Sequence, residues 1–246
     1  MLKARLASDR QRCQSRATRP LQEFKVLRKH IRGAAGAICL LTLPLGVAAA
    51  PSAGDPEQGK AAAAVCASCH QVDGSGQNNP NGESWPRLAG LDAGYIARQL
   101  QAYKDGTRQN PSMQAFAQML DDQQIADVSA WFASLPATAG QSAEAQSHSE
   151  ELLKRGEQLA TEGDWSKYIV SCSSCHGSDN LGAGTVFPAI AGQHFGYIRD
   201  QLLAWQKGAR KNDPQRLMAT IAERMSSEDI TAVAAWLSTQ PATAEQ

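Results

Sequence analysis

From Pro51 to the C-terminus the 246-residue chain has only four cysteines, Cys66, Cys69, Cys172 and Cys175, and none stands outside a short paired motif. A disulfide framework of the kind exported domains often use therefore has no cysteines to draw on. No segment alternates apolar and polar residues convincingly over a strand length, which leaves helices as the regular structure. A basic surplus is also missing. Over the whole chain 24 Lys/Arg balance 24 Asp/Glu, but Lys3 to Arg32 hold ten of the basic residues against Asp9 and Glu23 alone. From Pro51 onward 14 basic residues face 22 acidic ones. An acidic body argues against nucleic acid as a partner.

The basic stretch closes with Arg28-Lys29-His30-Ile31-Arg32 and is followed by the apolar run Gly33 to Ala50. This reads as a secretory leader over residues 1–50 with a long n-region, and Val47-Ala48-Ala49-Ala50 offers the small residues a signal peptidase requires. The competing reading is a retained membrane anchor near the minimum spanning length. Cys13 and Cys39 fall within this leader.

The remainder is one unit of about 105 residues written twice. Trp85-Pro86-Arg87-Leu88-Ala89-Gly90 matches Phe187-Pro188-Ala189-Ile190-Ala191-Gly192, and Gly94-Tyr95-Ile96-Ala97-Arg98-Gln99-Leu100 matches Gly196-Tyr197-Ile198-Arg199-Asp200-Gln201-Leu202. Further on, Gly106-Thr107-Arg108 meets Gly208-Ala209-Arg210, and Trp131 meets Trp236. Each unit reads as helix, cysteine motif, Gly/Pro-rich loop, helix, Met-bearing loop and final helix, an all-α fold. Asp121-Asp122-Gln123-Gln124 and Ser226-Ser227-Glu228-Asp229 are expected to cap the final helices. Ile125, Val128, Trp131 and Phe132, like Ile230, Val233, Trp236 and Leu237, then recur at helical spacing. The expected boundaries are a first domain over 51–136, an Ala/Ser/Gln/Thr-rich linker over 137–149 and a second domain over 150–246. Gly59 precedes Cys66 by seven positions and Gly156 precedes Cys172 by sixteen, so the second unit carries an insertion with Trp165 and Tyr168. The first carries a longer polar loop, Gln77 to Ser84.

Both cysteine pairs are Cys-x-x-Cys-His, in which the thiols form thioethers to a porphyrin and the next His ligates its iron. The expectation is two covalently bound haem c groups, one on Cys66 and Cys69 with His70, the other on Cys172 and Cys175 with His176. A zinc site would need these thiols as thiolates in one closed tetrahedral set, and two full-length repeats each with its own His argue against it. Met113 lies 18 residues before Trp131 and Met218 lies 18 before Trp236. That matched pair is expected to supply the second axial ligands, against the alternative of ordinary core methionines. Met119 and Met225 fit that alternative better, at the start of the final helices. His/Met ligation raises the potential and closes the iron to substrate. Pro86 and Pro188 are placed to present a carbonyl to the second ring nitrogen of the iron-bound His, or simply to stiffen the loop. Tyr95 and Tyr197 are candidates for the haem propionates or for the core, and Arg108 and Arg210 for neutralising propionate charge. His148 and His194 lack counterparts and read as surface residues.

With these motifs present twice, the chain from about Asp55 to Pro241 resembles the cytochrome c4 family, two class I cytochrome c domains in tandem. The resemblance implies a periplasmic electron carrier, in some members associated with the membrane periphery. Such a carrier takes electrons from a quinol-oxidising complex (quinol-cytochrome c reductase) and delivers them to a terminal oxidase or reductase. It also implies domains facing each other about a pseudo-twofold axis with propionates near the interface. The alternative is an electron-accepting subunit or partner of a periplasmic dehydrogenase acting on an alcohol, thiosulfate or sulfite. A dihaem peroxidase is the enzymatic rival, against the main expectation of an electron-transfer protein that is not an enzyme.

Overall fold

The structure is a computed structural model and describes residues 53–138 and 148–243, all of which fall within one compact unit. The leader 1–50, with Cys13 and Cys39, and most of the 137–149 linker lie outside the described residues. The two repeats form two lobes of short helices. Among the described residues strand pairing is limited to isolated bridges.

In the first lobe α1 (Pro56–Ala62) leads into the short α2 (Ala67–His70), followed by α3 (Ala93–Lys104), α4 (Pro111–Gln118) and α5 (Asp122–Ser134). The second lobe repeats the order with α6 (Glu150–Thr161), α7 (Ser173–His176), α8 (Phe195–Gln206), α9 (Leu217–Arg224) and α10 (Ser227–Thr239). Capping residues set where these helices begin. Asp55 accepts from the Glu57 and Gln58 amides, Asp92 from Tyr95 and Asn110 from Met113. Full capping boxes start α5 at Asp121 and Gln124, and α10 at Ser226 and Asp229. Each such cap satisfies amides that a helix start otherwise leaves unpaired, at about 1 kcal/mol each.

The first and last helices of each lobe cross at a glycine. A β-carbon on Gly59 would lie 2.0 Å from the Asp127 carbonyl oxygen, and one on Gly156 would lie 2.1 Å from that of Ala232. Only glycine lets the backbones approach this closely. Around each crossing the expected apolar faces close the core. Ile125, Val128 and Phe132 are each 2 % exposed, and Ile230, Val233 and Leu237 are equally buried. Trp131 and Trp236 border these cores rather than filling them. Burial of each such side chain stabilises by about 1.5–3 kcal/mol.

Two sequence expectations change here. The methionines expected on loops sit on helices: Met113 is in α4, whose start is set by Pro111 and the Asn110 cap, and Met218 is in α9. Met119 and Met225 end those helices instead of starting the next ones. Met119 is 72 % exposed, whereas Met225 is buried in the second core.

Candidate functional site

In each lobe the Cys-x-x-Cys-His segment forms a single helical turn whose final residue is a buried histidine, His70 or His176. The chain leaves α2 through Gln71 and α7 through Gly177, both with positive φ. That sharp exit aims the chain at the Pro-containing loop. His70 Nδ1 lies 3.0 Å from the Pro86 carbonyl oxygen, and His176 Nδ1 lies 2.7 Å from that of Pro188. A carbonyl only accepts, so Nδ1 carries the proton and Nε2 keeps its lone pair. Burial pushes both imidazole pKa values down, against the opposing effect of the carbonyl bonds, and so favours the neutral ring.

Cys66, Met113 and Leu88 border the same apolar cluster in the first lobe, as Cys172, Met218 and Ile190 do in the second. The four cysteines of the two motifs are unpaired and partly buried. Burial raises the Cys66 thiol and pushes Cys172 up to about 12. Among the described residues no cluster of three or more His, Cys, Asp or Glu side chains gathers to hold a metal ion.

Between the lobes lies a crossed network. Arg108 donates to the Tyr197 hydroxyl at 2.7 Å and the Gln201 amide oxygen at 2.6 Å, both in the other lobe, and to Gln99 of its own at 3.0 Å. Arg210 returns the pattern, to the Tyr95 hydroxyl at 3.2 Å, Gln99 at 2.9 Å and Gln201 at 2.9 Å. The two arginines also face each other through an antiparallel backbone bridge, with Gln109 donating to Ala209 and Lys211 to Thr107. Arg108 stacks on Tyr103 and Arg210 on Trp205, with ring distances of 4.7 and 4.0 Å. Burial alone would raise the Tyr95 phenol pKa, but Arg210 and Arg108 outweigh it and hold it below its ordinary value. Tyr103, with burial dominant, is raised to about 12.

Both guanidiniums are about 5 % exposed or less, and the acceptors of these side-chain bonds are all neutral. Two buried cations that share the Gln99 and Gln201 amide oxygens as acceptors repel each other. An anionic partner would offset the desolvation of these two neighbouring charges. The Trp205 indole N–H is likewise buried without an acceptor. Carboxylates of a bound haem would meet both needs. Free thiols, neutral histidines with an available Nε2, and bordering methionines complete a set of residues that fits haem c in each lobe.

Sequence reasoning missed a second inter-lobe contact. His194, expected at the surface, is only 6 % exposed, and its Nε2 lies 2.9 Å from the Ser75 carbonyl oxygen of the first lobe. Arg87, 0 % exposed, donates to the carbonyls of Ala89 and Ala191, and burial lowers its pKa to about 10. The polar loop of the first unit also turns inward, with Asn78 accepting from the Gly196 amide at the start of α8. The signal was present in the alignment: Arg87, Gln193 and His194 stand opposite Ala189, Leu91 and Asp92. At these three positions, where the repeat breaks its own pattern, the two lobes meet. His148 is partly buried, its ring 5.0 Å from that of Phe195.

The insertion before Cys172 folds into a 3₁₀ turn, Trp165–Lys167, closed by reciprocal backbone bonds between Asp164 and Ile169. Arg155 bridges Asp164 and Asp229, Lys167 pairs with Asp229, and Arg224 donates to the Tyr168 carbonyl. This bracing leaves Trp165 and Tyr168 about 70 % exposed.

The cytochrome c family model matches residues 56–136 and 153–241. A thiosulfate dehydrogenase electron acceptor from Stutzerimonas stutzeri is 42 % identical over 70 % of this chain and 77 % of its own length. Cytochrome c4 from Pseudomonas aeruginosa is 36 % identical over 80 % of this chain and 94 % of its own. Among solved structures, reduced cytochrome c4 from Pseudomonas stutzeri superimposes with a TM-score of 0.68 at 32 % identity, covering 76 % of this chain and all of that one. A thiosulfate dehydrogenase from Marichromatium purpuratum matches with a TM-score of 0.65 at 35 % identity, over 76 % of this chain and 40 % of that one. The chain belongs to the cytochrome c4 family: it is an all-α dihaem c-type cytochrome of two tandem cytochrome c domains, an electron carrier with two covalently bound haem c groups.

Proposed function

We propose that this cytochrome accepts electrons from a thiosulfate dehydrogenase in the periplasm and passes them to a terminal oxidase or reductase, with no substrate chemistry of its own. The observation that carries the reading is the likeness to a relative named as the electron acceptor of thiosulfate dehydrogenase, supported by the match to part of a solved thiosulfate dehydrogenase chain. A second reading, delivery from a quinol-oxidising complex, is favoured by the equally extensive likeness to cytochrome c4. No described helix is long and apolar enough to cross a membrane. Peripheral membrane association remains compatible with either route.

In this proposal Cys66, Cys69, Cys172 and Cys175 hold the haems, and His70 and Met113, with His176 and Met218, are the axial pairs. Haem c supplies the one-electron couple. Pro86 and Pro188 hold the histidine Nδ1 protons and thereby the ring orientation, which fixes ligand basicity. Arg108 and Arg210 neutralise propionate charge where the lobes meet, and the Tyr95 and Tyr197 hydroxyls are placed to hydrogen-bond there. The domain limits 51–136 and 150–246 belong to the same proposal.

The test mixes the oxidised dihaem protein with catalytic amounts of purified thiosulfate dehydrogenase and thiosulfate, and follows haem reduction by stopped-flow absorption. Rapid reduction that requires both enzyme and thiosulfate supports the first reading. Reduction only by a quinol-oxidising complex replaces it with the second.

A further inference from the structure

We propose that Gln193, in the second lobe, is a positioning residue for the haem of the first lobe, acting through the Pro86–Arg87 peptide on the ligand His70. The inference rests on the reading that His70 is an axial ligand.

The Pro86–Arg87 peptide unit is held at both ends. Its carbonyl faces His70 Nδ1 at 3.0 Å, and its N–H, that of Arg87, donates to Gln193 Oε1 at 2.9 Å. Gln193 also donates from Nε2 to the Arg87 carbonyl at 2.9 Å and accepts from the His194 amide at 3.0 Å. Its side chain is therefore clamped by three bonds in a site where the residue is 4 % exposed. Hydrogen bonds in series polarise one another. An acceptor on the peptide N–H adds electron density to the carbonyl oxygen, which strengthens the bond from His70 Nδ1–H and makes the ring a stronger donor to iron. A more electron-rich ligand favours the oxidised state and lowers the potential.

The second lobe has no equivalent. Gln193 aligns with Leu91, which is apolar, and Arg87 aligns with Ala189. The peptide that faces His176 thus has no amide side chain at the corresponding position of the first lobe, Leu91. Two sites with the same ligand residues are distinguished by a contact that exists only when the lobes are joined. Arg87 acts in the opposite sense: its buried cation, hydrogen-bonded to carbonyls alone, favours the reduced state of the nearby haem.

The test is potentiometric titration of the dihaem protein in three forms, wild type, Gln193→Leu and Gln193→Glu. Alongside it, magnetic resonance follows the shifted Nδ1–H proton of each iron-bound histidine. Gln193→Leu removes the acceptor and raises the first haem's potential, while Gln193→Glu keeps an acceptor, adds negative charge and lowers it. The haem of the second lobe does not move in either. The expected change in electron partition between the haems is up to about tenfold, or about 59 mV for a one-electron couple. A general loosening of the interface would not give shifts of opposite sign confined to one haem. The proposal is overturned if the first haem is unmoved, if both variants shift it the same way, or if the second haem moves equally. If no iron-bound resonance belongs to His70 in the wild type, the ligand reading fails instead, and the two failures are distinguishable.

Discussion

Replacing Asp229 with Asn tests whether the insertion before Cys172 is braced by charge. The Asp229 carboxylate has a side chain 4 % exposed and accepts from Arg155 at 2.7 and 2.9 Å, from Lys167 at 2.7 Å and from the Ser226 amide at 3.1 Å. Burial opposes its ionisation, but Lys167 and Arg155 together with the Ser226 amide win, and its pKa falls from 3.8 to about 2. At 1.36 kcal/mol per unit, that depression corresponds to about 2 kcal/mol. Arg155 and Lys167 are 28 % and 42 % exposed, so solvent screening reduces the ionic part to about 1–2 kcal/mol. Asn in this place also leaves two cations facing a neutral amide and weakens the α10 cap, for a total of about 2–3 kcal/mol at pH 7. The expected fall in melting temperature is about 4–10 °C. Because the folded pKa lies below the unfolded one, the ionic contribution is complete above the unfolded value of 3.8 and is lost as pH falls through about 2. Guanidinium titrations followed by helical dichroism at pH 7, 4 and 2 give the measurement, with wild type and variant converging toward pH 2. A difference below about 0.5 kcal/mol at pH 7, or one that persists undiminished at pH 2, refutes the reasoning.

Met113→Ala and Met218→Ala are each expected to abolish the methionine-to-iron absorption band of one haem only, whereas Met119→Ala, at an exposed position, leaves both bands unchanged. Gly59→Ala drives a β-carbon into the Asp127 carbonyl and is expected to destabilise by at least about 2 kcal/mol, with Gly156→Ala matching it, as read from denaturant midpoints. Arg108→Gln removes one of two buried cations, so both haem potentials are expected to fall and to become more dependent on pH as propionate protonation enters the working range. Carbon monoxide is expected to leave the reduced absorption spectrum unchanged, since the proposed His/Met pairs would close both irons. Rapid binding at one haem would favour the peroxidase alternative.

The local chemistry was legible in sequence because it is written in short spacings. Cys-x-x-Cys-His, the Pro two residues ahead of Leu/Ile, and the Met 18 residues before Trp are read without knowing where anything lies in space. Doubling the unit made each reading check the other. The capping boxes at Asp121 and Ser226 follow from side chains reaching three residues along the chain, so they too were visible. Met113 on a helix rather than a loop was missed, although Pro111 behind Asn110 is a good first residue for a helix with an Asn cap.

By itself the sequence determined the all-α repeat, the two sets of residues suited to haem and the acidic body, since these depend on residue identity and on separations of a few positions. Tertiary structure decided what the two copies do to each other. Arg108 reaches Tyr197, Arg210 reaches Tyr95, and Gln193 reaches the peptide that faces His70, across separations of 89, 115 and 106 residues. No periodicity encodes such pairs, because they arise only when two folded surfaces exclude water and their buried polar groups must find partners. His194 shows the difference most directly: one residue without a counterpart looked like a solvated side chain in sequence, and became a buried contact once the second lobe met the first.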